Sequence, residues 1–173
     1  MIDFENSKYT EKFANSDTPN IPVATDKKMH KVMVYGTLRK NCGNDRLLVG
    51  SECIGTFVVP GYRMFSAGGF PYCIKVDNMD ETIVTEVYLV DDSTLASLDS
   101  LEGVSYNHYD RVPVERKGFE DVEIYTPHRT TQVQDLPRVK NGDWKDFDSR
   151  NSRWWGNDLD GGDSYYYARD HYM

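Results

Sequence analysis

Several short clusters in this chain combine residue types and spacings that could do chemistry. Val32-Met33-Val34 runs into Tyr35-Gly36-Thr37-Leu38, and an apolar strand that stops at such a turn delivers successive backbone N–H groups to one place. Gly36 permits close approach, so the turn could surround an anion or a developing oxyanion. On the tetrapeptide alone, an ordinary strand-end turn is the simpler reading. Glu102 closes Leu98-Asp99-Ser100-Leu101-Glu102-Gly103, the last turn of a short helix. The carbonyl end of a helix and the edge of its apolar stripe both push a carboxyl pKa upward, which suits proton transfer. A solvated surface carboxylate is the alternative those residues leave open. Tyr109 and Arg111, two apart, share one face of a strand. They could line a pocket and hold a helix end or a carboxylate, or simply cover the end of a sheet. Arg39, directly after the turn, is open to a substrate or a surface role. Phe70-Pro71, after Ala67-Gly68-Gly69, suits a pocket rim or a plain hairpin loop.

Strands must carry most of these groups. Short β-branched and aromatic runs punctuated by Gly, Pro, Asn and Asp predict strands near 32–36, 53–59, 71–76, 83–90, 109–116 and 121–126. The run Thr82-Ile83-Val84-Thr85-Glu86-Val87-Tyr88-Leu89-Val90 alternates only loosely, as a strand buried on much of both faces does. Asp91 to Gly103 predicts the one helix, with acidic caps at its start, Leu95, Leu98 and Leu101 on one stripe, and a glycine stop. After about Thr130 the pattern thins to aromatic anchors, Trp144, Trp154, Trp155 and Tyr165-Tyr166-Tyr167. At 173 residues one domain is expected. Its parts are a polar leader over 1–30 that chemistry should not need, the domain proper over 31–147, and an aromatic, acidic tail over 148–173.

A net charge of −8 argues against a nucleic-acid backbone or an anionic membrane as partner. No run approaches the ~18 apolar residues that span a bilayer. Cys42, Cys53 and Cys73 form no Cys-x-x-Cys pair and are odd in number, which suggests neither a disulfide framework nor a zinc knuckle and fits a reducing cytoplasm. His30, His108, His128 and His171 show no metal-ligand spacing, and no metal is expected. Asp158-Leu159-Asp160-Gly161-Gly162-Asp163 has the look of a calcium loop, but Arg169 stands where a bidentate Glu is needed, so an acidic linker is preferred. Nothing in the chain indicates an oligomeric state.

Taken in order, Tyr35-Gly36-Thr37-Leu38-Arg39, then Leu98-Asp99-x-x-Glu102-Gly103, then Tyr109-x-Arg111 resemble the γ-glutamylcyclotransferase superfamily, most closely its γ-glutamylamine cyclotransferase and AIG2-like branch. The resemblance covers Lys31 to Tyr125 and extends to Leu136-Pro137-Arg138 and Gly142-Asp143-Trp144. It implies an α+β domain whose short strands form a small distorted mixed β-barrel with flanking short helices. It also implies a cofactor-free enzyme that cyclises a small-molecule γ-glutamyl amine or amide to 5-oxoproline and frees the amine. Glu102 would be the catalytic acid/base. Tyr35, Gly36, Thr37 and Leu38 would bind the γ-glutamyl group largely through main-chain atoms, with Phe70, Pro71 and Tyr109 shaping the cavity and Arg39 and Arg111 in support. The loop continues Arg39-Lys40 rather than in the Ile-Trp style of the glutathione-specific branch, which points away from glutathione. Other readings are a γ-glutamyl-removing step on a biosynthetic intermediate, a non-catalytic binding or regulatory module on the same fold, and an interaction protein that works through its aromatic tail.

Overall fold

The structure, a computed structural model, describes residues 27–148. Seven strands and the helix α1 follow in the order β1 (Met29–Val34), β2 (Glu52–Pro60), β3 (Tyr62–Ser66), β4 (Pro71–Lys75), β5 (Thr82–Asp91), α1 (Asp92–Leu101), β6 (Tyr109–Pro113) and β7 (Val122–Pro127), and residues 144–148 are helical as well. Five strands form a mixed sheet ordered β2-β5-β1-β7-β6, and β3 pairs with β4 as a separate antiparallel ribbon. The class is α+β, as expected, but the sheet stays open at β2 and β6 and does not close into a barrel. β3 escaped sequence reading because Tyr62-Arg63-Met64-Phe65-Ser66 lacks a clean period of two.

β1 lies at the centre, antiparallel to β5 and parallel to β7. Its side chains alternate between two cores: Val32 and Val34 join Tyr88, Val90, Leu95 and Leu98 on one face, while Met33 and Tyr35 join Ile83, Val87, Ile124 and Trp144 on the other. Burial on both faces is why the strand reads as a continuous apolar run.

α1 begins where expected, with the Asp91 carboxylate accepting from the Thr94 N–H at 2.9 Å. Leu95 and Leu98 are buried, whereas Leu101 leaves the stripe and is 42% exposed. Gly103, at φ +63°, ends the helix, and a Cβ there would lie 2.8 Å from the His108 ring. The chain after β7 returns along β3, with Ser66 N–H donating to the Pro137 carbonyl and Val139 N–H to that of Met64. Trp144 then closes the second core at 1% exposure, stacked on Phe147. Gly142 makes that return possible, since a Cβ at this φ of +64° would stand 1.9 Å from the Thr82 carbonyl oxygen. No helix among the described residues is long and apolar enough to cross a membrane. The possible calcium loop, Trp154, Trp155 and the tyrosine run lie outside the described residues, as do most of the leader and tail.

Candidate active site

The end of β1, the entry to β4, the end of α1 and the start of β6 converge on one cavity of about 350 Å³. Tyr35, Gly36, Thr37, Leu38, Phe70, Pro71, Glu102 and Tyr109 all line it. These are the residues that sequence reasoning proposes for catalysis and substrate binding, brought together from positions up to seventy-four apart.

The Tyr35–Leu38 turn is tight against the entry to β4. A Cβ on Gly36 would fall 2.6 Å from Pro71 Cγ, so only glycine lets the loop backbone seat on that ring. Arg39 N–H closes the turn on the Gly36 carbonyl at 3.0 Å, and Asn44 grips Thr37 through both its backbone N–H and its side-chain amide, each at 2.9 Å. Among the described residues the N–H groups of Gly36, Thr37 and Leu38 meet no acceptor. Three adjacent donors beside a cavity are a ready place for a carbonyl oxygen or a carboxylate.

Glu102 caps α1, its own N–H held by the Leu98 carbonyl at 2.9 Å, and its side chain lies in the cavity wall. Burial raises its carboxyl pKa from 4.5 to about 7. Desolvation by the surrounding wall supplies that shift. Tyr35 and Tyr125 are also buried and pushed well above the usual phenol range, by desolvation first and by neighbouring groups that include Glu102. They stay protonated and act as donors, while the Glu102 carboxyl holds its proton near neutrality.

Hydrogen bonds fix the frame around it. The Tyr35 hydroxyl donates to the Tyr125 carbonyl at 2.8 Å, and the Tyr109 hydroxyl to that of Pro71 at 3.0 Å. Tyr125 donates to Asp99 Oδ1 at 2.6 Å, and Arg111 Nε to the same oxygen at 2.9 Å, with Glu123 as the guanidinium's second partner. Arg111 thus ties α1, the helix that ends in Glu102, to β6 and β7. It is outside the cavity wall.

Arg39 also stands outside the wall. It is 4% exposed and points back into the fold, with Nη1 2.8 Å from Asp143 Oδ1 and Nε 3.4 Å from Glu86 Oε1. Glu86, equally buried, further accepts from Lys145 Nζ, the Lys40 N–H and the Tyr88 hydroxyl. Burial works to raise its pKa, but these donors outweigh it and leave the carboxylate below its ordinary range. This cluster fastens the residues that follow the loop.

The amino-acid profile of the family described as gamma-glutamyl cyclotransferase, AIG2-like, matches residues 32–146. The chain belongs to that family. A Vibrio cholerae protein named provisionally as a γ-glutamylcyclotransferase is 36% identical over 116 residues, spanning 66% of this chain and 95% of that one. The γ-glutamylcyclotransferase family protein YtfP of Escherichia coli is 30% identical over 68% of this chain and 98% of its own, and its solution structure superposes with a TM-score of 0.54. An uncharacterised protein from Pyrococcus horikoshii, 25% identical over 72% of this chain and 97% of that one, superposes with a TM-score of 0.58.

Within this γ-glutamylcyclotransferase family chain, sequence reasoning missed Met33, Val34, Asn44, Leu101, His108 and Tyr125 as wall residues and Glu86 as the anchor under the loop. Glu86 carried a signal, being the one acid inside the apolar run of β5. Tyr125 carried none until β7 was registered against β6, where it pairs with Arg111.

Proposed function

We propose that the chain cyclises a γ-glutamyl amine or amide to 5-oxoproline with release of the free amine, using Glu102 as the single acid/base. The α-amino nitrogen of the substrate attacks its own γ-carbonyl carbon. A lactam C–N bond forms, the scissile amide C–N bond breaks, and no water is consumed. Nucleophile and carbonyl belong to one molecule, so little is left for the protein to supply in bringing them together. Glu102 takes a proton from the α-ammonium group and later delivers one to the departing amine. The N–H groups of Gly36, Thr37 and Leu38 receive the oxyanion, while Phe70, Pro71 and Tyr109 bound the substrate. No step calls for a cofactor or metal.

The observation that carries this reading is a carboxyl with a pKa of about 7 in the wall of the cavity that also holds the loop's backbone donors. A group poised near neutrality both accepts and returns a proton at little cost. The relatives' γ-glutamylcyclotransferase names support the same chemistry. The test is 5-oxoproline release across γ-glutamyl amides by the wild type and Glu102→Gln. The amide keeps the shape of the carboxyl but cannot cycle a proton, so turnover should drop about 10²–10⁴-fold while 5-oxoproline still binds. Equal rates would sink the mechanism. Ligand binding without turnover by either protein would favour a binding module on the same fold.

A further inference from the structure

We infer that the leaving-amine side of this cavity is built for an uncharged amine carrying an apolar, ring-sized substituent, an inference that rests on the cyclotransferase reading above. With the γ-carbonyl against the loop donors and Glu102 beside the scissile bond, the departing amine extends toward the rest of the wall. Leu101, the residue before Glu102, lines that wall with 42% of its surface exposed, and Phe70 lines it with 37%. Leu101 is the member of the helix's apolar stripe that does not enter the core, so its exposed surface is available to a ligand. Behind them Phe70 meets Tyr72 edge-on at 5.5 Å, and Tyr72 meets Tyr109 at 5.3 Å, a run of rings suited to an apolar or aromatic group.

Charge points the same way. Among the described residues, the wall holds one carboxylate, Glu102, and one imidazole, His108, with no lysine and no arginine. The two arginines near the site are already matched by carboxylates, Arg39 by Glu86 and Asp143 and Arg111 by Asp99 and Glu123. An amino acid or dipeptide as leaving group would bring a carboxylate to a wall with no permanently charged guanidinium or ammonium to receive it, His108 being the one basic side chain there. The chain's net charge of −8 adds to that cost. A leaving group with a second ammonium would compete for Glu102, whose proton transfer the reaction needs. The cyclisation itself is unchanged: γ-glutamyl amide gives 5-oxoproline and amine with no co-reactant.

The experiment measures 5-oxoproline release by the full chain from γ-glutamylbenzylamide, γ-glutamylglycine and mono-γ-glutamylputrescine, with Leu101→Lys and Phe70→Lys as variants checked for fold by circular dichroism. Wild type should prefer the benzylamide by at least about tenfold in kcat/KM over either charged amide. Each lysine variant should lose benzylamide turnover and gain on γ-glutamylglycine, narrowing the ratio about tenfold. Equal or better turnover of γ-glutamylglycine or the putrescine amide by the wild type overturns the inference and leaves the cyclotransferase reading standing. So does a ratio that neither folded variant moves. Release from none of the three amides overturns the cyclotransferase reading and this inference with it.

Discussion

Glu102 is the residue on which the proposed chemistry turns, and its proton affinity gives two pH-dependent consequences. Acting first as a base, it must be ionised, so kcat/KM should fall about tenfold per pH unit below a midpoint near 7, not near 4.5. A pH–rate profile reads this directly. An acid limb near the ordinary carboxyl range would place the base elsewhere. The second consequence is in stability. The native carboxyl holds its proton more tightly than the unfolded one, so its contribution is fully present below about 4.5 and is lost as pH rises through about 7. Glu102→Gln removes that dependence. Urea denaturation should therefore find the variant gaining on the wild type by about 1–3 kcal/mol between pH 4.5 and pH 8, the range allowing for partial solvation of a half-buried group.

At the scale of elements, the site is held by joints between strands and helix more than by any one of them. α1 is a short helix capped by Asp91 and stopped by Gly103, and it is fixed to the sheet where Asp99 meets Arg111 and Tyr125. β5 performs the corresponding task for the loop by presenting Glu86 to Arg39, to Lys145 and to the Lys40 N–H. Removing Glu86 would leave the Arg39 guanidinium buried with Asp143 as its remaining carboxylate. Glu86→Ala should therefore cost about 3–5 kcal/mol in denaturant unfolding and raise KM by loosening the Tyr35–Arg39 turn. Glu86→Gln, which keeps the shape and much of the hydrogen bonding, should cost less. Unchanged stability in Glu86→Ala would mean that the turn holds its shape without this anchor.

The whole molecule is a sheet with a core on each face, and the cavity opens where the end of β1, the β4 ribbon and α1 meet. Trp144 seals one of those cores from the returning C-terminal segment, adjacent in sequence to the Asp143 that holds Arg39. Trp144→Ala should lower global stability by about 3–5 kcal/mol, the usual cost of emptying a large aromatic site. If the purified variant remains folded, its KM should change little, because Trp144 packs behind Met33 and Tyr35 and does not itself line the cavity. A large KM effect at unchanged stability would show instead that the C-terminal return shapes the pocket directly.

What the sequence determined by itself were the local facts. The apolar run ending at Tyr35-Gly36, the caps and glycine stop around α1, and the spacing that leaves Glu102 at a helix end all follow from short-range sterics and hydrogen bonding, which neighbouring residues dictate. That the loop, the acid and the rim residues would share one cavity was legible because those local signals came in a recognisable order. Tertiary structure decided whatever depends on partners distant in the chain. It turned Arg39 inward to Glu86 and Asp143, set Arg111 as a brace on α1, left the sheet open at β2 and β6, and drew Leu101 out of its stripe into the cavity mouth. It also set the pKa of Glu102, because desolvation is the work of every element that packs around a group, and no stretch of sequence holds that sum.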